Sequence, residues 1–309
     1  MGWRCTGLSW PHDGPVLGWR RSDGTGPGRV SVLAYGKELG FRAVGERHCT
    51  GARGNPCPVA AVVPVRSTGA RCPECARLDR AHSVAADTIA DDPRPYRVYL
   101  AWFGPGTVKV GITRESRDAA RLREQGAVVF TWLGRGPLMA ARRTEEVLRS
   151  ALGVPDRIPY ARKRTLRGEL PGAAERAAEV EALYRRAVAL EGAGWPETLE
   201  RLPFEAVDHA GAFGLDGHAA TSGLDGAGAT PGGIAGRAVT GLADGGAVGG
   251  RLVAAAGPDL HLETAADGVV VLDTRLITGW DLVAADARAA PSVPVAAAAE
   301  GAGVQDGLF

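Results

Sequence analysis

The stretch Val98–Ala127, VYLAWFGPGTVKVGITRESRDAARLREQGA, carries the most regular pattern in the chain. It overlaps an apolar and aromatic run, Arg97–Phe103, which predicts a β-strand. Thr107–Ile112 (TVKVGI) predicts a second strand. The Gly-Pro-Gly sequence at 104–106 supplies the residues of a tight turn, so the two strands are expected to form a β-hairpin.

Helix and strand signals continue directly after this hairpin. Ser116 is a candidate N-cap for a helix through Gln125, and Gly126, which has no side chain, suits the position just past its end. Residues 127–133 (AVVFTWL) predict a third strand. Pro137 at a first helical position predicts a helix to about residue 152, closed by Gly153. The predicted order is therefore β-β-α-β-α.

The flanking regions are less regular. Residues 1–48 are rich in glycine and contain β-like stretches at 29–35 and 39–44, without helical periodicity. Apolar residues on one face predict a helix over residues 173–191. Further β-like stretches lie at 250–255, 261–264, 269–272 and 277–283.

These patterns predict an α+β protein with five segments. The chain has 309 residues, which is enough to form two or three modest hydrophobic cores. The segments are a β-rich region with a four-cysteine segment at 49–75 (residues 1–95), a β-β-α-β-α domain with an extra helix (96–203), a Gly/Ala-rich linker (204–236), a small β module (237–288) and a disordered tail (289–309).

Charge is unevenly distributed along the chain. Residues 1–203 hold 32 Lys+Arg against 22 Asp+Glu, whereas residues 204–309 hold 4 against 13. Residues 94–167 alone carry 16 basic and 6 acidic groups, a balance of +10. Such an excess suits contacts with nucleic-acid phosphates, although a solvated surface has the same composition.

No targeting or membrane segment is visible. The chain has no run of about 18 apolar residues, which predicts no membrane span. Its start, MGWRCTGLSW, lacks the apolar core of a secretory signal. We therefore expect a cytoplasmic protein.

Four of the five cysteines form a cluster in the sequence, with the spacing C-x7-C-x14-C-x2-C. Four thiolates make a closed tetrahedral zinc site, which is structural because no position stays open for a substrate. Unliganded thiols and an iron–sulfur centre remain alternatives. His48 could replace one cysteine, and the distant Cys5 is expected to be a free thiol. The predicted zinc ligands are Cys49, Cys57, Cys72 and Cys75.

The hairpin and the helices after it resemble the GIY-YIG endonuclease superfamily. Tyr99 in VYL corresponds to the tyrosine of the first motif, and Lys109 in KVG begins the second. Arg121 corresponds to the arginine of the following helix. Glu145 corresponds to the metal-binding glutamate, with Glu146 as the second choice. The resemblance implies a nuclease-type domain with these four residues in one active site.

A closer resemblance is to the family called domain of unknown function 2797. Its pieces here are VYLA, KVGITR, the arginine seven residues later, and EQGA, together with GERHC before the first clustered cysteine and a late L-D-T-R…GW stretch. This resemblance extends over roughly residues 29–285. Cys57 sits at an atypical distance for the family's zinc segment.

The superfamily resemblance implies a role for each residue in phosphodiester cleavage. Glu145 would hold one Mg²⁺ or Mn²⁺ ion, and Arg121 would contact the phosphoryl oxygens. Tyr99 would orient or deprotonate the attacking water. Lys109, in place of the superfamily's second tyrosine, would stabilise the phosphate or the phenolate. Because Tyr99 and Lys109 lie at an even separation across the turn, both should face one side of the hairpin.

Two arginines in the loop after the hairpin, Arg114 and Arg117, are candidate contacts to a nucleic-acid backbone. The predicted function is that of a metal-dependent nuclease on DNA or RNA. The alternatives are a nucleic-acid-binding protein that has lost catalysis and a protein-interaction module. Each residue also has an ordinary structural interpretation, so the prediction depends on their grouping. Oligomeric state is left open.

Overall fold

The computed structural model describes residues 2–11, 14–81, 92, 94–155, 157–190, 195–196, 198–216 and 236–297. The chain divides into two compact units, one made of Met1–Ala86 with Thr221–Phe309 and the other of Asp87–Ala220. Most of the predicted linker, at 217–235, and the end of the predicted tail, at 298–309, lie outside the described residues.

Fifteen strands and six helices are described. The strands are β1 (Trp3–Ser9), β2 (Val16–Arg21), β3 (Arg29–Val32), β4 (Glu38–Val44), β5 (Tyr96–Gly104), β6 (Thr107–Arg114), β7 (Val129–Gly136), β8 (Glu200–Arg201), β9 (Val207–Asp208), β10 (Arg237–Val239), β11 (Ala247–Ala256), β12 (Asp259–Thr264), β13 (Gly268–Asp273), β14 (Asp281–Ala284) and β15 (Val295–Ala297). The helices are α1 (Pro73–Ala81), α2 (Ala120–Gln125), α3 (Leu138–Leu152), α4 (Tyr160–Arg167), α5 (Ala173–Val188) and α6 (Thr274–Ile277). Among these, none is long and apolar enough to span a membrane.

The first unit is built on one ten-stranded sheet with the order β15-β10-β13-β12-β11-β4-β14-β1-β2-β3. Strand β4 pairs with both β11 and β14, so strands from the two ends of the chain alternate in its centre. The segment 237–288, expected as a separate β module, is thus part of the same sheet as the N-terminal strands. Pairing between strands about 200 residues apart has no local sequence signal.

The last β-like stretch, 277–283, differs from the prediction. Its start belongs to helix α6, and only β14 is extended. Helix α6 begins here because the side chain of Asp273 accepts a hydrogen bond from the amide of Arg275, as an N-cap does. Gly279, at φ +90°, then turns the chain towards β14.

The second unit is built on a five-stranded sheet with the order β6-β5-β7-β8, in which β9 also pairs with β7. Strands β5 and β6 form the predicted hairpin, with Tyr99 opposite Gly111 and Ala101 opposite Lys109. Together with α2, β7 and α3 the hairpin follows the predicted β-β-α-β-α order. One part of its core contains Tyr99, Ala101, Phe103, Leu122 and Phe130.

Helix α2 begins later than Ser116, the predicted N-cap. Residues 115–117 form a single 3₁₀ turn, and Asp118 at φ +40° separates it from the helix. Arg97 on β5 pairs with Glu115 at 2.9 Å and with Asp118 at 3.4 Å. These contacts hold the segment as a turn. Because Arg97 lies on another element, its effect cannot be predicted from the helix propensity of residues 115–118.

The helix ends agree better with the sequence. Gly126 and Gly153 take the left-handed conformation that closes α2 and α3, at φ +71° and +66°. Pro137 precedes α3 as its N-cap rather than occupying the first helical position. Helix α5 covers the predicted helix up to Val188, whereas α4 was not predicted.

Candidate functional site

The four clustered cysteines converge as predicted. Their sulfur atoms all lie within 4.8 Å of one another, and all four residues are buried. The Sγ atoms of Cys57 and Cys72 are 4.0 Å apart. Four sulfurs at about 2.3 Å from one zinc ion would be separated by about 3.8 Å, so only small shifts are needed to close the tetrahedron.

Main-chain amides point at these sulfurs. The Cys49 sulfur accepts hydrogen bonds from the amides of Gly51 at 3.3 Å and Cys72 at 3.2 Å. Burial raises the pKa of the Cys57 thiol, but hydrogen bonds from the backbone of Ala61 and Val59 and from neighbouring cysteines outweigh it and lower this pKa to about 7. Such N–H donors stabilise a thiolate, which is the form that binds metal.

The donor set fits a structural metal ion. Four thiolates leave no open coordination position, so the cluster would hold the ion without exposing it to a substrate. His48 is not one of the grouped ligands; its Nδ1 atom donates to the carbonyl of Ala60 at 2.8 Å. Cys5 lies outside the cluster, and burial raises the pKa of its thiol to about 12.

Tyr99, predicted to act on the attacking water, lies inside the second unit with 2% of its surface exposed. Its ring lies across Gly111 on the neighbouring strand. A Cβ atom at Gly111 would come within 2.3 Å of the Tyr99 hydroxyl oxygen and 2.4 Å of the adjoining ring carbon. Gly111 is therefore required by the position of the Tyr99 ring.

The Tyr99 hydroxyl accepts a hydrogen bond from the side-chain amide of Gln125 at 2.9 Å. Gln125 is the last residue of α2 and is itself buried. The sequence predicts no role for Gln125, although EQGA is among the family-like stretches. Its position, a polar residue directly before the predicted helix-closing Gly126, is the signal that the sequence offers.

Arg121 and Glu145 both act electrostatically on Tyr99. Burial is the main cause that raises the Tyr99 pKa; the Glu145 charge adds to it, whereas the Gln125 hydrogen bond and the Arg121 charge lower it. The two charged groups, from α2 and α3, are thus close enough to influence the same phenol. Glu146, the second choice, instead pairs with Arg149 at 2.6 Å on the surface.

Lys109 lies on the same face of the hairpin as Tyr99, as their spacing predicts. It pairs across the hairpin with Ala101, two residues along β5 from Tyr99. The two side chains are therefore diagonal neighbours, a separation that a long side chain can reach across. Lys109 is half-buried.

Of the two arginines predicted for the loop, Arg114 is the last residue of β6 and Arg117 ends the 3₁₀ turn, and both are engaged by other side chains. Arg114 donates from Nε to the hydroxyl of Tyr96 at 3.2 Å. Arg117 pairs with Glu124 at 2.5 Å. Surface pairs of this kind contribute little to stability.

Part of the basic excess is not on the surface. Lys163 and Arg167 of α4 are 4% and 2% exposed. The ammonium of Lys163 donates to the main-chain carbonyl of Gln125 at 2.9 Å. Both were counted in the charge of residues 94–167, and neither is available to a nucleic-acid backbone.

The fold and sites define an α+β protein with a buried four-cysteine cluster that can bind one metal ion. The chain belongs to the family described as "Protein of unknown function (DUF2797)", whose model matches residues 36–282. The predicted family resemblance is thereby confirmed. No curated protein and no solved structure matches the chain.

Proposed function

We propose that the protein is a metal-dependent phosphodiesterase that cleaves nucleic acid at a GIY-YIG-like site made of Tyr99, Lys109, Arg121 and Glu145. The observation that carries the proposal is electrostatic. A cation from α2 and a carboxylate from α3 both shift the pKa of the hairpin phenol. Grouping a base, a cation and a metal-binding carboxylate is what phosphodiester cleavage needs.

Arg121 would contact the phosphoryl group. About half of its side chain is exposed, and its contact with Glu124 is long, at 3.8 Å. Such an exposed pair contributes little, so the guanidinium can turn to a phosphate at small cost. Its planar N–H groups would then donate hydrogen bonds to two phosphoryl oxygens and stabilise the negative charge of the transition state.

Glu145 would hold the catalytic Mg²⁺ or Mn²⁺. Among the described residues, the four cysteines are the one group of three or more His, Cys, Asp or Glu side chains that could hold a metal, so Glu145 belongs to no such group. Mg²⁺ keeps several waters and commonly binds one or two carboxylates together with substrate phosphate. When bound, the ion would polarise the phosphate and stabilise the leaving oxygen.

Tyr99 would orient the attacking water as a neutral phenol and accept its proton as the phenolate. Because burial raises its pKa, the phenol is neutral at pH 7 and serves first as a hydrogen-bonding group. Lys109, diagonal to it on the hairpin, would bring a second positive charge towards the phenol oxygen and the phosphate. The four-cysteine segment would bind zinc and stabilise the first unit, separately from catalysis.

The burial of Tyr99 favours a second candidate, a nucleic-acid-binding protein without cleavage activity. With 2% of its surface exposed, Tyr99 reaches a water molecule only if its surroundings open. In that case the exposed arginines of the second unit would bind phosphates, and the carboxylate of Glu145 would have no catalytic role. The cleavage and binding test with both nucleic acids decides whether the ligand is DNA or RNA.

The test uses the full chain with labelled single- and double-stranded DNA and RNA, with and without added Mg²⁺ or Mn²⁺. We expect metal-dependent cleavage that Glu145→Gln reduces at least about 100-fold, as is typical when a group stabilising the transition state is removed. Glu146→Gln is the matched control, because its neighbour is a surface arginine, and it should keep the activity.

Cleavage that survives Glu145→Gln overturns the proposed site. Salt-sensitive binding without cleavage supports the second candidate. If the protein neither binds nor cleaves nucleic acid, both candidates are wrong and the interaction-module alternative is left.

A further inference from the structure

Gln125 contacts Tyr99 directly, and helix α4 contacts the end of α2 that carries Gln125. The Gln125 amide donates to the Tyr99 hydroxyl oxygen at 2.9 Å, and both side chains are buried. A hydroxyl has one proton to donate and two lone pairs. Since one lone pair already accepts from Gln125, the phenolic proton must point elsewhere.

The end of α2 that carries Gln125 is held by two residues of α4. Lys163 donates to the carbonyl of Gln125 at 2.9 Å, and the hydroxyl of Tyr160 donates to the carbonyl of Glu124 at 3.3 Å. These are terminal helix carbonyls, which otherwise need water or a cap. A cation at this end also suits the helix dipole.

Lys163 is fixed in turn by aromatic rings. Its ammonium lies 4.0 Å from the ring centre of Phe103 and 4.5 Å from that of Tyr160. Phe103 is on β5, the strand that carries Tyr99, and is fully buried. The end of α2 and the Tyr99 strand are thus connected twice, by Lys163 and by Gln125.

We propose that Gln125 is a positioning residue for Tyr99, whose amide donates to the phenol oxygen and keeps that oxygen paired in the phenolate form, which accepts a proton from the attacking water. This inference rests on the proposed function. Gln125 does not touch substrate; it acts through the tyrosine. An amide donor also remains paired when the phenol loses its proton, whereas a carbonyl acceptor would not.

The first test does not depend on activity. Difluorotyrosine, which ionises at lower pH than tyrosine, is placed at position 99 and followed by fluorine NMR as pH is raised. In Gln125→Met, a side chain of similar length without a donor, ionisation should move about one pH unit higher, because a hydrogen bond to a charged group is lost. Leu148→Val, a destabilising change in α3, should leave the titration unchanged.

The second test compares cleavage rates of single and double variants. Gln125→Met should reduce the rate about tenfold or more, whereas Tyr99→Phe with and without Gln125→Met should cleave equally slowly, because Gln125 acts only through the phenol. A further loss in the double variant overturns the proposal.

An unchanged titration in Gln125→Met, or one that moves to lower pH, also overturns it, the latter because the amide would then be an acceptor. A wild-type protein that cleaves nothing overturns the proposed function and the catalytic role of Gln125 with it. The titration still decides separately whether the hydrogen bond has the stated direction.

Discussion

The guanidinium of Arg47 donates a hydrogen bond of 2.8 Å to the main-chain carbonyl of Arg275, 228 residues further along the chain. It also donates to the carbonyls of Pro64, Ser67 and Thr278, at 2.7, 2.6 and 2.9 Å. Arg47 is 0% exposed. The side chain therefore joins the segment that leads into the cysteine cluster to helix α6.

Replacing Arg47 by Met should destabilise the first unit strongly. Four carbonyls in part-buried hydrogen bonds would lose their donor, and each group left unsatisfied is costly, so a loss on the order of 3 kcal/mol is expected. Arg42→Met, an exposed arginine on β4, should change stability by no more than about 0.5 kcal/mol. Urea unfolding of both variants measures the difference; equal midpoints would contradict the structural role of Arg47.

The Arg47 contact joins segments that no local sequence pattern pairs. GERHC and L-D-T-R…GW were recognised as family-like stretches, and the structure brings them together through Arg47. Gly279 has a reason of the same kind, since a Cβ atom there would lie 2.4 Å from the carbonyl oxygen of His48. The sequence contained both segments, but pairing over such a distance along the chain depends on the assembled sheet.

Local signals predicted the second unit better. Its hairpin turn, the closing glycines Gly126 and Gly153 and the spacing of Tyr99 from Lys109 are all set by near neighbours. The late start of α2 and the burial of Lys163 were missed, because each depends on a partner from another element. The family and the four-cysteine grouping are confirmed, whereas the catalytic roles remain predictions.

Metal content gives a direct test of the cysteine cluster. Purified protein should contain one zinc ion per chain, because four buried sulfurs lie within 4.8 Å of one another. Cys75→Ser should lose most of the zinc and unfold at lower temperature, since metal binding contributes to folding. His48→Ala should keep the metal, because the ring of His48 is bonded to Ala60. Elemental analysis and thermal unfolding provide both readouts, and a zinc-free wild type or a zinc-replete Cys75→Ser would contradict the assignment.

Gly111→Ala should show whether the Tyr99 ring occupies the position that the structure gives it. The new methyl group would overlap the Tyr99 ring and hydroxyl, with three ring or hydroxyl atoms within 2.9 Å. Overpacking of this kind commonly destabilises by about 1–3 kcal/mol. In a Tyr99→Ala background the ring is absent, and the added methyl group should be nearly neutral. A double-mutant cycle measured by denaturant unfolding gives the coupling; equal penalties in both backgrounds would show that the ring lies elsewhere.

The pH dependence of cleavage tests whether Tyr99 is the base. Burial raises its pKa above the usual value, so the phenolate is a small fraction at pH 7 and grows about tenfold for each pH unit below that pKa. The rate should therefore rise with pH, with a slope near one on logarithmic axes, over the range where the protein stays folded. Arg121→Gln removes a positive charge that lowers this pKa, so it should shift the whole profile to higher pH as well as reduce the rate.

A metal-bound water would give a similar rise of the cleavage rate with pH without using the phenol, and Tyr99→Phe separates the two explanations. If Tyr99→Phe keeps the wild-type slope and only lowers the rate, the phenol orients the water and another group accepts its proton.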